Sequence, residues 1–431
     1  MLKKKLFRIG IVGLGNIGSH LYKYLNNNNN ILSGRNNAKY KIVYVSAKNI
    51  KKKRSIKINK KQWVKNYLDI TKKKDVDIII ELIGGSDGDA KKLVFSAIKN
   101  KKHVVTANKA LISKHGDILS KLAEEKGVNL EFEAAVCGGV PVIRSIKESF
   151  VANKIHRIFG IFNGTSNYIL SNMDTEKSSF KETLINAKKL GYAESNPKSD
   201  LNGDDVAAKA KILSALSFNS YINNNIHIEG MKDIDNEDIL NAGKLGYKIK
   251  LLGFSEIIKN RLFQRVHPTL VKRSSYIASV NGVLNAVIID GKPIGQSIIQ
   301  GEGAGPEATT SALISDISSI IRGNIKFPFA ISIKKRKKIK SGKISELYFS
   351  SYVRLDVRDK YGILSDITKV FSNNKVSIKR LIQNPYKFKK NSSIIIITHS
   401  SKDENIQKTL KTLTKKSYII KKPKLIRIEN S

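Results

Sequence analysis

The sequence predicts an α/β protein: an open, doubly wound parallel sheet at the N-terminus, a mixed α+β domain after it, and a small α+β module at the C-terminus. Three observations carry this. Short apolar runs rich in β-branched residues alternate with helical patterns through the first third of the chain, as in βαβ units. A glycine-spaced turn, Gly13-Leu14-Gly15-Asn16-Ile17-Gly18, separates the first apolar run from the first helical one. The last part of the chain reads β-α-β-β-α-β.

In order, Phe7 to Val12 reads as a strand, Ser19 to Leu25 as a helix and Tyr40 to Ala47 as a second, alternating strand. Asp77 to Leu82 is a third strand closed by Gly84-Gly85, followed by a helix at Ala90 to Lys99 and a strand at His103 to Thr106. Leu111 to Lys126 is a helix ended by Gly127, and Asn129 to Ala135 the next strand. These define a first domain over 1–137. A second, over 138–330, contains a strand at Ile158 to Ile161, helices at Phe180 to Leu190 and Gly203 to Ser217, and strands at Arg265 to Leu270 and Ala286 to Asp290. Its last helix, opened by Glu302-Gly303-Ala304-Gly305 and running to Ile321, returns to the first domain. Residues 331–349, with Lys334-Lys335-Arg336-Lys337-Lys338, read as a basic linker. In 350–431, strands at Tyr352 to Val357, Val376 to Gln383, Ser393 to Thr398 and Ile419 to Ile428 frame helices at Gly362 to Ser372 and Glu404 to Leu413, a ferredoxin-like order.

Composition narrows the function classes. The chain has 431 residues, 41% of them hydrophobic, enough for two or three cores. No apolar run approaches the ~20 residues that span a bilayer. Lys3-Lys4-Lys5 before an apolar stretch mimics a signal peptide, but Arg8 and glycines interrupt it and no small-residue cleavage site follows. A single cysteine, Cys137, excludes an internal disulfide framework, and the expected location is the cytoplasm. The formal charge of +42 is spread through every part of the chain, with lysine enriched alongside asparagine and isoleucine and no accompanying aromatics for base stacking. That pattern reads as compositional drift, so neither nucleic acid nor membrane is expected as a partner; the charge still draws anionic small molecules.

The glycine turn follows a strand and opens a helix, which makes it a dinucleotide site: glycines let the backbone approach a pyrophosphate, and the helix N-terminus offers free N–H groups. Gly13, Gly15, Asn16, Ile17 and Gly18 are its candidate residues. An NAD-specific domain places an acid at the end of the second strand. Here no acid occurs between Gly18 and Asp69, and that strand ends at Ser46-Ala47-Lys48, which favours NADP over NAD, with Lys48 beside the ribose.

Three polar segments stand where chemistry belongs: Thr106-Ala107-Asn108-Lys109 past a strand's C-terminal end, Gly191-Tyr192-Ala193-Glu194 after a helix, and Asp200 to Lys209. Asp205 and Lys209 are four apart and share a helix face. A lysine held by carboxylates can deliver a proton to a carbonyl oxygen as hydride arrives; with 78 basic residues, the same spacing also describes an ordinary surface ion pair.

Along nearly its full length the chain resembles homoserine dehydrogenases. The resemblance rests on Gly13 to Gly18, Thr106 to Lys109, Glu133-Ala134-Ala135-Val136-Cys137-Gly138-Gly139-Val140-Pro141, Gly160 to Ile169 with its Asn163-Gly164-Thr165-Ser166-Asn167 core, Leu190 to Glu194, Asp200 to Lys209, Arg265 to Thr269 and Gly301 to Gly305. It implies a Rossmann-type cofactor domain and the NAD(P)H-dependent interconversion of L-aspartate 4-semialdehyde and L-homoserine, on the route to threonine, methionine and isoleucine. Lys209 then matches the proton donor and Lys109 a lysine between nicotinamide and substrate. Glu194, Asp200 and Thr165 match the substrate site, with Asp205 holding substrate or lysine. Thr106, Lys109 and Gly303 match cofactor contacts. Glu133, Val136, Gly138 and Val140 match a monovalent cation site, that of sodium. The C-terminal module resembles an ACT domain around Asp359-Lys360-Tyr361-Gly362-Ile363-Leu364, with Tyr361 where proline is common. That implies a homodimer or homotetramer with threonine as effector; a purely structural pairing module is the other reading. Cys137 reads as a small packed residue rather than the nucleophile of an acylating semialdehyde dehydrogenase. His267 reads as structural, and the seven histidines show no metal spacing. Another NAD(P)-dependent semialdehyde dehydrogenase of similar build and a basic nucleic-acid-binding regulator with an ACT module are the remaining alternatives.

Overall fold

The structure, a computed structural model, describes residues 5–323, 327–385 and 391–429. Its first layer is an all-parallel sheet of Lys39–Ser46, Leu6–Val12, Ile78–Glu81, His103–Thr106 and Leu130–Glu131, in that spatial order. The middle strands are buried on both faces, which is why they read as unbroken runs such as Ile78-Ile79-Ile80. The helix Asn16–Asn27 starts one residue past Gly15. Asn29–Asn36 is a second short helix, held by Asn29 Nδ2 on the Tyr40 carbonyl (3.3 Å) and by Ser33 Oγ on Asn29 Oδ1 (2.8 Å). The expected strand at 129–135 shortens to Leu130–Glu131 and becomes a 3₁₀ turn at Glu133–Ala135. Its next backbone donor, Glu133 N, is taken by the Asp316 carboxylate (2.9 Å) instead of a neighbouring strand.

The second domain is built on antiparallel strands Lys154–Ile161, Tyr247–Ile258, Arg261–Lys272, Leu284–Lys292 and Gly295–Glu302. Two of these, Tyr247–Ile258 and Gly295–Glu302, were not anticipated. The first has a long stretch buried on both faces and shows no period of two. The second is a polar edge strand with no buried residue. Helices Gly164–Thr175 and Asp204–Ser217 lie across this sheet. The last helix, Pro306–Ile321, returns to the first domain as expected: Leu313, Ile317, Ile320 and Ile321 share a core with Ile9, Ile11 and Leu21. His20 Nδ1 meets Thr310 Oγ1 at 2.9 Å.

The C-terminal module has the expected βαββαβ order, with strands arranged Lys424–Glu429, Tyr348–Arg358, Asn391–Thr398, Ile378–Pro385. It is not a separate bead. Lys424–Glu429 pairs in parallel with Arg261–Lys272 (Arg427↔Thr269 to Glu429↔Val271), so its sheet continues that of the second domain. The basic stretch before it is packed as well: Arg336 is buried and donates to the Ser220 carbonyl (2.6 Å) and to Asp117 Oδ1 (2.6 Å). Among the described residues no helix is long and apolar enough to cross a membrane.

Candidate active site

The glycine loop is shaped by what surrounds it. Gly13 N donates to the Ser46 carbonyl (2.9 Å), tying the loop to the end of the second strand. A methyl group on Gly18 would lie 2.0 Å from the Gly13 carbonyl oxygen, so Gly18 permits the close strand–helix approach. Gly15 is different: nothing of the protein lies within 4 Å of where a Cβ would stand. The helix it precedes has no side-chain cap and no acid in its first turn, leaving free N–H groups facing open space. These features fit a dinucleotide's pyrophosphate. Lys48 is exposed just past the second strand, in a stretch whose sequence has no acid between Gly18 and Asp69. Arg54 stitches the basic loop to the glycine loop through the carbonyls of Leu14 (3.1 Å), Asn49 (2.7 Å) and Lys52 (2.8 Å).

At the C-terminal edge of the same sheet, Thr106 Oγ1 donates to Glu81 Oε2 (2.5 Å) and accepts Asn108 N (3.0 Å). Asn108 caps the helix Lys109–Lys126 through Leu111 N (3.0 Å) and holds the Gly85 carbonyl with its amide (2.7 Å). Lys109 is the first residue of that helix.

Lys109 reaches across to the second domain, where its Nζ lies 2.8 Å from Asp205 Oδ1. Lys209 Nζ lies 2.8 Å from Asp205 Oδ2 and donates to the Phe162 carbonyl at 2.5 Å. One carboxylate thus binds two lysines from two domains. Lys209 and Asp205 are buried, while the Lys109 side chain is 44% exposed. Burial opposes the charge on Lys209, but Asp205 outweighs it and holds its pKa above the ordinary lysine value. Burial likewise opposes the charge on Asp205; Lys209 and Lys109 overcome it and hold this carboxyl well below the usual range. Asp200 is shifted the other way, upward, first by burial and then by the Asp205 charge. Asn163 sorts the two acids: its amide nitrogen donates to Asp200 Oδ1 (2.8 Å) and Asp205 Oδ2 (2.9 Å), while its oxygen caps the helix Gly164–Thr175 through Ser166 N (2.7 Å).

Asn163 and Glu81 were not singled out from the sequence. The signal for Asn163 was present, an Asn at a helix N-cap inside a matching motif; for Glu81, an acid ending a buried apolar strand. Thr165 is brought to the site, but its hydroxyl donates to the Tyr192 carbonyl (2.6 Å) and so holds the segment leading to Glu194. Glu194 itself is exposed, with no hydrogen bond or ion pair to Lys109, Lys209 or Asp205. Gly303 lies against the Cys137–Gly138 turn: a methyl on Gly138 would meet the Gly303 carbonyl oxygen at 2.6 Å, and one on Gly303 would strike Asn285.

The cation set forms one tight turn. Glu133 is buried, and its carboxylate oxygens accept Ile143 N (2.9 Å) and Arg144 N (2.7 Å); burial pushes its pKa up to about 7. The Val140 carbonyl accepts Val142 N (2.8 Å), whereas the buried Val136 and Gly138 carbonyls receive no hydrogen bond among the described residues. Cys137 is buried in the same turn, and burial raises its thiol to about 11, the opposite of a nucleophile's tuning. His267 is buried between Phe254 and Phe349, and burial holds its pKa well below the ordinary value.

A dinucleotide loop in one domain and a lysine–aspartate–lysine bridge that joins that domain to another fit a nicotinamide-dependent oxidoreductase. The family model for the homoserine dehydrogenase NAD-binding domain matches residues 13–133, that for homoserine dehydrogenase residues 141–318, and that for the AHAS small subunit-like ACT domain residues 353–421. The homoserine dehydrogenase of Neisseria gonorrhoeae is 36% identical over 99% of both chains. The crystal structure of a homoserine dehydrogenase from Thiobacillus denitrificans superposes with a TM-score of 0.92 at 34% identity, covering 99% of each chain. A hyperthermophilic archaeal homoserine dehydrogenase in complex with NADPH shares the fold at a TM-score of 0.61 and 22% identity, over 73% of this chain and 97% of that one. The chain belongs to the homoserine dehydrogenase family, and its activity is the nicotinamide-dependent interconversion of L-aspartate 4-semialdehyde and L-homoserine.

Proposed function

We propose that Lys209 is the general acid of this reaction, that Lys109 supports it, and that Asp205 sets the charge state of both. When bound on the glycine loop, the nicotinamide supplies hydride to the aldehyde carbon. The oxygen of that aldehyde gains negative charge and needs a proton. An ammonium has three N–H bonds; Lys209 spends two on Asp205 and the Phe162 carbonyl, which leaves one for the substrate oxygen. Lys109, half-exposed on the other oxygen of Asp205, links the site to solvent protons. Asp200 and Glu194 hold the substrate's ammonium, with Thr165 anchoring the Tyr192–Glu194 segment. The observation that carries this reading is the two-lysine bridge on Asp205.

The same reading takes NADP in preference to NAD, supported by Lys48 and the acid-free strand end, with Gly13, Gly15, Asn16, Ile17, Gly18, Thr106 and Gly303 lining the cofactor side. It places sodium at Glu133, Val136, Gly138 and Val140. The carbonyls of the buried residues Val136 and Gly138 receive no hydrogen bond among the described residues, and burial pushes the Glu133 carboxyl toward neutrality; a cation answers both needs. Threonine is the effector in this reading, and the chain a homodimer or homotetramer in the cytoplasm; the ACT family match supports a regulatory module at the C-terminus. Lys209→Met tests the core of the proposal. NADPH oxidation with aspartate semialdehyde, without phosphate, should slow at least ~100-fold, the scale of lost general-acid catalysis, with NADPH binding retained. A near-normal rate would assign the proton elsewhere.

A further inference from the structure

We infer that Glu81 is a positioning residue of the reaction, acting on Lys109 through Thr106 and Asn108. Glu81 ends the third parallel strand, at the sheet edge where ligands of such folds bind. Its side chain is completely buried, and no cation pairs with it among the described residues. Every group that holds it is a neutral donor: Ile83 N (2.7 Å) and Gly84 N (3.0 Å) on one oxygen, the Thr106 hydroxyl (2.5 Å) on the other. Burying an acid among neutral donors is costly, and satisfying two backbone N–H groups does not require it, because an amide oxygen would serve.

What an amide could not do is accept from Thr106 on the second atom. That bond closes a ring. Thr106 Oγ1 in turn accepts Asn108 N (3.0 Å), Asn108 Nδ2 donates to the Gly85 carbonyl (2.7 Å), and the glycine pair returns to Glu81 through Gly84 N (3.0 Å). Gly84 and Gly85 both have positive φ (84° and 82°), so the chain between them and Glu81 adopts a turn that needs such fixing. Asn108 also caps the helix that begins at Lys109, through Leu111 N (3.0 Å). The ring therefore sets the backbone from which a long, half-exposed side chain must reach Asp205 in the other domain (2.8 Å). A lysine so placed keeps a productive geometry only if its own backbone is held to about half an ångström. Glu81 touches neither lysine; its effect passes through two hydrogen bonds.

This inference rests on the catalytic reading of Lys109, and a double-mutant cycle separates the two. In Glu81→Gln the amide oxygen can keep both backbone bonds, but its NH₂ group now faces Thr106, whose hydroxyl loses its acceptor. The expected result is a kcat lowered about tenfold or more, with the homoserine KM, the NADPH Kd read by cofactor fluorescence, and the melting temperature little changed. Thr106→Val, which breaks the same bond from its other end, should show a similar loss in kcat. In a Lys109→Ala background Glu81→Gln should cost nothing further, because the residue it positions is gone. Additive losses, or a kcat unchanged in both Glu81→Gln and Thr106→Val, would overturn the inference while leaving the role of Lys109 standing. A Lys109→Ala enzyme of normal rate would remove that role, and the inference with it.

Discussion

Replacing Asp205 by asparagine is the perturbation that bears hardest on the proton-transfer argument. The substitution keeps the side chain's size and removes one charge. Asp205 accepts from Lys109, Lys209 and Asn163, each within 3 Å, so its loss strips both lysines of their counter-charge at once. The two lysines are not equally affected. Lys109 is 44% exposed and can turn toward water. Lys209 is buried and cannot, so the stability loss falls on it, at about 3 kcal/mol, the low end for an uncompensated buried charge. The kinetic consequence is larger. In the native site Asp205 holds the Lys209 pKa above the ordinary value against the pull of burial. Without Asp205, burial is opposed only by the weaker support of groups such as Cys137 and Asp200, and the pKa drops. Semialdehyde reduction needs the ammonium form, so the variant's rate should fall as pH rises across 6 to 9, whereas the native enzyme keeps its acid through that range. NADPH oxidation measured from pH 6 to 9 should show a loss of about 100-fold or more at the alkaline end, partly recovered at the acid end. Stability should respond with the opposite sign. The depressed carboxyl of Asp205 contributes stability that is full above the unfolded-state value near ~4 and is lost as pH falls below it. The asparagine variant lacks that acid-side component. A variant within threefold of native kcat, with an unaltered pH profile, would refute the assignment of Lys209 and Asp205 as a functional pair.

The second and third glycines of the loop should separate stability from binding. Gly15 has an ordinary φ of −75° and open space at its Cβ position, so Gly15→Ala should melt within about 1 kcal/mol of native but bind NADPH at least tenfold more weakly by fluorescence titration. Gly18→Ala drives a methyl to 2.0 Å from the Gly13 carbonyl oxygen and should instead cost about 1–3 kcal/mol in denaturant unfolding. Cys137, buried with a thiol near 11, should resist iodoacetamide at pH 8 until the protein is unfolded, and Cys137→Ala should keep kcat within threefold; loss of turnover would revive an acylating chemistry. Arg427, buried, grips Glu229 with two nitrogens (2.7 and 3.0 Å) and Asp403 with a third (2.8 Å). Arg427→Met should cost about 3–5 kcal/mol and speed hydrogen exchange in the C-terminal module ahead of the first domain; equal loss in both would mean that Arg427 is not what seats the module.

The elements legible in the sequence are those whose signal is local. The glycine turn, the strands of the parallel sheet and the βαββαβ order each follow from spacing within a dozen or so residues. Tyr247–Ile258 was missed because a strand covered on both faces loses the alternation that announces a strand, and its Lys250 lies buried on a helix's Asn167 (2.9 Å) rather than in solvent. Gly295–Glu302 was missed for the opposite reason, since a strand with no buried residue resembles a loop. The basic stretch around Arg336 looked solvated because composition says nothing of Asp117, which lies more than two hundred positions earlier and awaits it. At the site, the i, i+4 spacing of Asp205 and Lys209 was visible but common, and the resemblance gave it meaning. The pairing of Lys109 with Asp205 was not visible, because it crosses a domain boundary.

That crossing explains why the site needs both domains. Asp205 and Asp200 are bound by the same asparagine amide, yet their pKa values move in opposite directions: two lysines draw Asp205 down, and burial beside Asp205 pushes Asp200 up. One of those lysines comes from the cofactor domain. Moving that domain away would take Lys109 from Asp205 and leave the carboxylate to Lys209 alone among the cations that now hold it. On the reading of Lys209 as proton donor, the charge balance beside it is therefore tied to the placement of the cofactor domain, because a cation withdrawn from a shared carboxylate changes the field at the other. The last helix, Pro306–Ile321, leaves the second domain and buries Leu313, Ile317 and Ile320 in the core of the first, and in doing so fixes that placement.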